Sequence, residues 1–370
     1  METQHGMQAR HYMRRAIALA GRGIPWASPN PLVGAVIVKE GRIIGEGWHE
    51  KCGQLHAERN ALNHCTEDPA GATVYVTLEP CCHQGRTPPC TEALIAAGVA
   101  RVVIGSRDPN PKVAGKGAAA LRAAGIAVEE DFLRGECDAL NPIFFHYITT
   151  KTPYAALKYA MTADGKLATR TGASQWITGE AARSHVHGLR SRYRAILAGI
   201  GTVLADDPRL NCRMEGGRSP LRVICDSGLR IPLDAQICRT AKEQDTIVAC
   251  ARPDAEKRAA LEDLGMRVWV LPGADGRVDL KALMDRLGRE EIDSVLIEGG
   301  GAIHYSALAA GIVQRLYVYV GAKLFGGKGA KTPVGGAGVA AVADAFRLSA
   351  PRVEHFGRDL LLTYDLEKEM

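Results

Sequence analysis

The chain has 370 residues, 46% of them hydrophobic and 24% charged, a composition ordinary for a globular protein but a length that exceeds one core and predicts two domains. No apolar run approaches the ~20 residues of a membrane span, and the polar start METQHGMQARHYMRR lacks the apolar centre of a secretion signal. The net charge of +5 arises late, with 15 basic and 15 acidic residues up to position 148 and 31 and 26 beyond it, which is no basic stripe of the kind nucleic acid requires.

Taken in chain order, residues 8–22 have helical periodicity, and 32–38 and 42–47 read as paired strands. Residues 56–65 (HAERNALNHC) read as a helix with His56 and Glu58 in its first turn. A buried strand over 72–80 leads into a cysteine-rich turn, a helix around 91–98 and a strand over 100–106. This alternation predicts a three-layer α/β/α domain with a largely parallel sheet. The segment Leu140–Pro153 reads as the boundary, placing the domains at 1–148 and 149–370. Strands are then expected at 154–160, 194–200, 221–226, 246–250, 268–271, 294–300 and 315–320, with a helix at about 180–192.

Ten cysteines in such a chain read as free thiols and metal ligands, not a disulfide framework, and the expected compartment is the cytoplasm. Cys225 and Cys250 close apolar runs and are expected to be buried. A different pattern joins His56-Ala57-Glu58 to Pro80-Cys81-Cys82-His83-Gln84-Gly85-Arg86-Thr87-Pro88-Pro89-Cys90. One imidazole and two thiols can hold three tetrahedral positions of Zn2+ and leave the fourth to water, as in catalytic sites; a structural site wants four protein ligands. Helix starts at the metal favour thiolate over thiol. Glu58 is then placed as the acid/base of a hydrolytic deamination, since H-x-E…P-C is the signature of zinc deaminases acting on nucleobases. The zinc lowers the pKa of its water, and Glu58 carries the proton to a ring nitrogen and then to departing ammonia.

The string EPCCHQGRTPPC resembles the EPCSHxGRTPPC stretch of the bacterial bifunctional riboflavin-biosynthesis deaminase/reductase family. Ser28-Pro29-Asn30-Pro31-Leu32-Val33-Gly34, Gly47-Trp48-His49, and Asp108-Pro109-Asn110-Pro111 running on to Gly115-Lys116-Gly117 agree with it. The resemblance implies a cytidine-deaminase-like first domain in which His56, Cys81 and Cys90 bind zinc. Asn30, His49, Arg86, Asp108 and Asn110 would hold the pyrimidine and ribose phosphate. Asn30 and Asn110 also precede prolines, and each is read equally well as a turn initiator. Where the family usually has serine this chain has Cys82, a neighbouring thiol that could compete for zinc or oxidise; Cys81 is preferred as ligand from its place directly after Pro80.

Beyond the boundary come Lys158, Tyr159-Ala160-Met161-Thr162-Ala163-Asp164-Gly165-Lys166, Ser174-Gln175-Trp176-Ile177-Thr178, Gly199-Ile200-Gly201-Thr202 through Asp206-Asp207-Pro208, and Glu298-Gly299-Gly300-Gly301-Ala302. Alone, the glycines suggest amides approaching phosphate, with a helix after Gly301, or simply tight strand-to-helix turns. Neither run is the dinucleotide fingerprint GxGxxG. In this order the motifs resemble the reductase half of the same family, which implies a dihydrofolate-reductase-like α/β fold and NADPH. By position the cofactor residues would be Ala160, Trp176, Thr202, Asp206, Ser227, Gly300 and Gly301, and the substrate contacts Ser174, Thr178, Arg190, Leu210, Arg213 and Glu298. Lys158 and Glu298 are candidates for sugar-ring opening and protonation; a structural ion pair or a phosphate contact is an equally good reading of Lys158.

The resemblance therefore implies deamination of 2,5-diamino-6-(5-phosphoribosylamino)pyrimidin-4-one, then NADPH-dependent reduction of its ribosyl chain to a ribityl one. The partners expected are small phosphoribosyl pyrimidines, with no nucleic acid or membrane, in a homo-oligomer (dimer or tetramer). The competing readings are a nucleobase or tRNA deaminase with an unrelated nucleotide-binding second domain, and a zinc-stabilised sensor. The first calls for a basic face on residues 1–148 that the charge balance does not supply, and the second gives Glu58 no task.

Overall fold

The computed structural model describes residues 4–85 and 87–367. The chain divides into two compact units, Met1–Lys151 and Thr152–Met370. This division falls three residues beyond the expected boundary. The helix Pro142–Thr150 belongs to the first unit, where Phe144 joins the core.

In the first unit the elements are α1 (Gln4–Ala20), β1 (Gly34–Lys39), β2 (Arg42–Trp48), α2 (Ala57–Asn63), β3 (Thr73–Leu78), α3 (Cys90–Ala96), β4 (Arg101–Ser106), α4 (Lys116–Ala123), β5 (Ala127–Glu129), α5 (Arg134–Asp138) and α6 (Pro142–Thr150). The sheet order is β2-β1-β3-β4-β5. The sheet is largely parallel, as expected: β2, β3, β4 and β5 run in one direction, and β1 alone is antiparallel to its neighbours β2 and β3. A short hairpin between β1 and β2 forces the first reversal, since parallel neighbours need a long crossover.

Strand alternation divides this core into two faces. Ala35, Ile37, Val74, Val76, Val102 and Ile104 pack with Ala57, Ala61, Leu94 and Leu121 of α2, α3 and α4. Val36, Val38, Tyr75 and Val103 face Met13, Ala16 and Leu19 of α1 and Cys137 of α5. Glycine sets the spacing on the first face: a Cβ on Gly47 would lie 2.5 Å from the Ala57 carbonyl oxygen, so only glycine lets the start of α2 lie against β2.

The second unit contains β6 (Tyr154–Thr162), α7 (Glu180–Arg192), β7 (Ala195–Gly199), α8 (Ile200–Asp206), β8 (Leu221–Cys225), α9 (Gln236–Arg239), β9 (Thr246–Cys250), α10 (Ala255–Asp263), β10 (Arg267–Val270), α11 (Leu280–Arg289), β11 (Ser294–Glu298), α12 (Gly301–Ala309), β12 (Val313–Gly321), β13 (Arg352–Phe356) and β14 (Asp359–Asp365). Its nine-stranded sheet has the order β10-β9-β8-β7-β11-β6-β12-β14-β13. The strands from β10 to β12 are mutually parallel, and the hairpin β13–β14 closes the edge antiparallel. Leu157, Leu197, Val223 and Val295 face α11 and α12, while Ile196, Ile224 and Val248 face α8, α9 and α10. Near-continuous apolar strands follow from burial on both faces. Cys225 and Cys250 are both buried, as small hydrophobes would be.

No helix among the described residues is long and apolar enough to cross a membrane.

Candidate active sites

In the first unit, three ligand atoms of His56, Cys81 and Cys90 lie within 4.8 Å of one another. His56 Nδ1 is 3.5 Å from each sulfur. His56 is the N-cap of α2, Cys90 opens α3, and Cys81 lies beyond the end of β3, so two helix starts meet the chain leaving a strand. The Cys90 amide donates to Cys81 Sγ at 3.4 Å. A hydrogen bond to Cys90, then one to His56, draws the Cys81 thiol well below its ordinary pKa. His56 is raised by the same contact with Cys81. One imidazole and two sulfurs, one of them readily ionised, are the donor set of a zinc site with an open fourth position.

Glu58 is 3% exposed, and burial followed by the neighbouring Cys81 raises its pKa. Next to His56, His49 donates from Nδ1 to the Leu55 carbonyl (3.0 Å), because that carbonyl can only accept. Its Nε2 is then the acceptor for Asn30 Nδ2 at 3.1 Å. The His49 ring meets that of His56 edge-on, with centroids 5.2 Å apart. Burial lowers the pKa of His49 and keeps it neutral, as this tautomer requires.

Asp108 is buried and pushed up to about 6, chiefly by burial. Its Oδ1 accepts the Asn110 amide at 2.8 Å, and Asn110 Oδ1 accepts the Lys112 amide at 3.1 Å, so both residues hold this turn. Arg86 lies outside the described residues. Cys82 is directed elsewhere, its Sγ 3.8 Å from the Lys112 carbonyl, and burial raises its pKa.

Three residues given no role in the sequence reading support the cysteine-rich turn, Glu79 among them although it opens the EPCCHQGRTPPC string. Glu79 accepts the amides of Gly115, Gly117 and Ala118 at 3.0, 3.0 and 3.2 Å. Arg59 on α2 donates to the Pro88 and Pro89 carbonyls, and Thr91 to that of Cys81. Together they pin the cysteine-bearing turn.

In the second unit a cavity of about 680 Å³ opens where β6, β7 and β11 end. It is lined by Lys158, Ala160, Ser174, Trp176, Thr178, Arg190, Thr202, Asp206, Leu210, Arg213, Glu298, Gly300 and Gly301, which brings together every reductase residue expected from the sequence except one. Ser227 is not in the lining; its carbonyl joins the ends of β8 and β9 by accepting the Ala251 and Arg252 amides. The resemblance implied a cofactor contact at Ser227 by position, whereas here it serves the turn after β8.

Strand register places Lys158 beside Glu298. Arg190 from α7 grips the Glu298 carboxylate with two nitrogens, at 2.8 and 3.0 Å, and Lys158 Nζ lies 3.4 Å away. Burial opposes ionisation of Glu298, but Arg190 and Lys158 outweigh it and hold the carboxyl at about 2. Burial lowers the pKa of Lys158 despite that partner. Gly300 caps α12, and a Cβ on Gly301 would lie 2.7 Å from the Gly335 amide nitrogen. Glycine at 301 thus lets the chain at Thr332 and Gly335 pack against the helix start, whereas a Cβ on Gly300 would meet nothing within 4 Å, so the open space lies at Gly300. Arg183, His187, Lys331 and Thr332 also line the cavity and were missed in the sequence. Arg183, His187 and Arg190 recur at i, i+4 and i+7, the helical spacing that would have revealed them.

Residues 7–106 match the cytidine and deoxycytidylate deaminase zinc-binding region, and residues 153–362 match the RibD C-terminal domain. Fold, sites and matches thus define a two-domain enzyme, a zinc-dependent deaminase joined to a reductase. The chain belongs to the RibD family of bifunctional riboflavin-biosynthesis enzymes. It is 56% identical over 353 residues to riboflavin biosynthesis protein RibD of Actinobacillus pleuropneumoniae, covering 95% of this chain and 94% of that one. The solved structure of Acinetobacter baumannii RibD superposes with a TM-score of 0.87 at 39% identity, over 98% of this chain and all of the other. A Thermotoga maritima diaminohydroxyphosphoribosylaminopyrimidine deaminase/5-amino-6-(5-phosphoribosylamino)uracil reductase gives 0.87 at 38% identity, with the same coverage. The family's cofactors are Zn2+ for the first domain and NADPH for the second. A tRNA or nucleobase deaminase with an unrelated second domain is not favoured by matches that extend over both units.

Proposed function

We propose that the first unit deaminates 2,5-diamino-6-(5-phosphoribosylamino)pyrimidin-4-one and that the second reduces the ribosyl chain of the product to a ribityl one. The observation that carries this reading is the buried Glu58 carboxylate beside a three-ligand cluster. A structural metal takes four protein ligands and has no use for a buried acid next to them.

His56, Cys81 and Cys90 would hold the zinc, which supplies an activated water at neutral pH. Glu58 takes that water's proton and delivers it to the pyrimidine ring nitrogen, then passes the remaining proton of the added hydroxyl to the amino group, which leaves as ammonia. Its raised pKa suits a group that must both gain and lose a proton. Asn30, held against neutral His49, and Asp108 would contact the pyrimidine; like Arg86 and Asn110 they are assigned to this substrate by resemblance.

In the second unit NADPH supplies the hydride. Thr202, Asp206, Gly300 and Gly301 would hold it, with Ala160 and Trp176 lining its path. Ser174, Thr178, Arg190, Leu210 and Arg213 would hold the substrate. Lys158, unusually easy to deprotonate, and Glu298, firmly ionised, would assist ring opening and protonation. The resemblance supports a homo-oligomer, dimer or tetramer, and ten free cysteines suit the cytoplasm.

The test is incubation of the purified protein with the diaminopyrimidine phosphate, with and without NADPH. Ammonia is expected without NADPH, and NADPH oxidation only after deamination. NADPH oxidation with no ammonia released would overturn the zinc assignment.

A further inference from the structure

Among the described residues the largest fully buried side chain is Arg222 of β8. Its Nε donates to the Thr246 hydroxyl at 2.8 Å and its Nη1 to the Thr240 hydroxyl at 2.7 Å. Nη2 reaches the carbonyls of Ile237, Thr240 and Gln244 at 3.1, 3.0 and 2.9 Å. A guanidinium taken out of water must satisfy its donors, and here hydroxyls and main-chain carbonyls do so. The consequence is that α9 and the turn after it are fixed to β8. Nη1 also lies 3.4 Å from the Arg209 carbonyl, which connects this hub to the cavity wall.

That wall is the segment leaving α8, in which Asp206, Pro208 and Leu210 line the cavity. Asp207 and Leu210 have φ angles of 37° and 49°, the left-handed region that disfavours residues with a Cβ. Such a backbone persists where its surroundings over-determine it. Two glutamines do so here. Gln236 on α9 donates from Nε2 to the Asp207 carbonyl at 2.6 Å and accepts Arg209 Nε on its Oε1 at 3.0 Å, while its main-chain amide donates to Asp207 Oδ1 at 2.7 Å. Gln244, in the turn after α9, donates from Nε2 to the Leu210 carbonyl at 3.2 Å and to that of Pro220 at 2.7 Å. Both side-chain orientations are forced, because a carbonyl only accepts and an arginine nitrogen only donates.

We propose that Gln236 and Gln244, set in place by Arg222, are positioning residues of the reductase: they hold residues 207–210 in the left-handed form that presents Leu210 to the substrate. A wall fixed ahead of binding spares the substrate the cost of ordering it. Without the two donors the segment relaxes toward ordinary backbone and Leu210 leaves its place. The proposal rests on the reading of this cavity as the reductase site.

The test measures NADPH-dependent reduction of the deaminated ribosyl phosphate by full-length zinc enzyme, with KM determined separately for the two ligands. Gln236→Met and Gln244→Met keep the side-chain length and remove the donor. Each is expected to raise the KM of the ribosyl phosphate by about 3- to 10-fold, the loss of one neutral hydrogen bond. The KM of NADPH should stay at the wild-type value, because Thr202 and Asp206 belong to α8, before the segment begins. Gln244→Lys, which restores a donor, should recover part of the loss. A lowered melting temperature with both KM values unchanged would make the glutamines merely structural and overturn the proposal. Equal rises in the two KM values would overturn it as well, as would a Gln244→Lys enzyme no better than Gln244→Met. Should Gln244→Met fail to fold, Gln236→Met decides by the same two KM values. If the wild type oxidises no NADPH with the deaminated substrate, the reductase reading falls and the proposal with it.

Discussion

The Glu79 carboxylate accepts the Gly117 amide at 3.0 Å, tying the last residue but one before Cys81 to the first turn of α4. The same contact brings Gly117 so close that a Cβ there would lie 2.1 Å from the Pro80 carbonyl oxygen. Backbone cannot yield by that amount. Gly117→Ala is expected to destabilise the first unit by about 1–3 kcal/mol, the usual cost of overpacking, and to weaken zinc retention. Thermal unfolding and zinc content measure both, and an alanine variant with full zinc and unchanged melting would show that α4 does not brace the metal turn.

Cys81 and Cys82 are adjacent, but the structure aims only Cys81 at His56 and Cys90. Cys81→Ser should bind far less zinc, while Cys82→Ser should keep one ion per chain. Metal analysis after gel filtration gives the answer directly. Full zinc in Cys81→Ser together with loss in Cys82→Ser would reverse the ligand assignment.

Much of the zinc site was legible because it is local. His56 and Glu58 share a helix start, and the spacing from Pro80 to Cys90 is short enough to read as one turn. The braces were not legible: Glu79 opens the motif string, but its task is set only when α4, nearly forty residues later, folds back onto it. The pairing of β1 with β3 was hidden for a similar reason, since α2 carries the chain from β2 over β1 to a parallel β3, which leaves β1 between two strands with no local signal for the second contact. In the second unit the glycine motifs marked the cavity floor, but the hairpin β13–β14 lies beyond the alternating pattern and went unread. His187 went unread too, although it shares one face of α7 with Arg183 and Arg190 and that spacing was there to read.

Glu58→Gln keeps the size of the side chain and removes its ability to accept a proton as a carboxylate. Deamination should fall by about 10²- to 10⁴-fold, the range for loss of a positioned acid/base, with zinc content unchanged. Reduction of pre-deaminated substrate by NADPH should continue in the same preparation. A Glu58→Gln enzyme releasing ammonia at the wild-type rate would remove Glu58 from the chemistry.

Glu298 is the hinge of charge in the second unit, gripping Arg190 and Lys158 at once. Its folded pKa of about 2 lies below the ordinary carboxylate value of 4.5. A group depressed in this way contributes stability that is present above about 4.5 and is lost as pH falls through the interval down to about 2. The second unit should therefore lose stability in that acid window, and Glu298→Gln should lose it already at neutral pH. Removing one partner of a buried ionic cluster costs about 3–5 kcal/mol, because the remaining cations stay buried without their counter-charge. The variant's melting temperature should then depend far less on pH between 5 and 3 than the wild type's. Parallel acid titrations of wild type and Glu298→Gln followed by circular dichroism test this, and identical acid profiles would show that the cluster contributes nothing to the folded state.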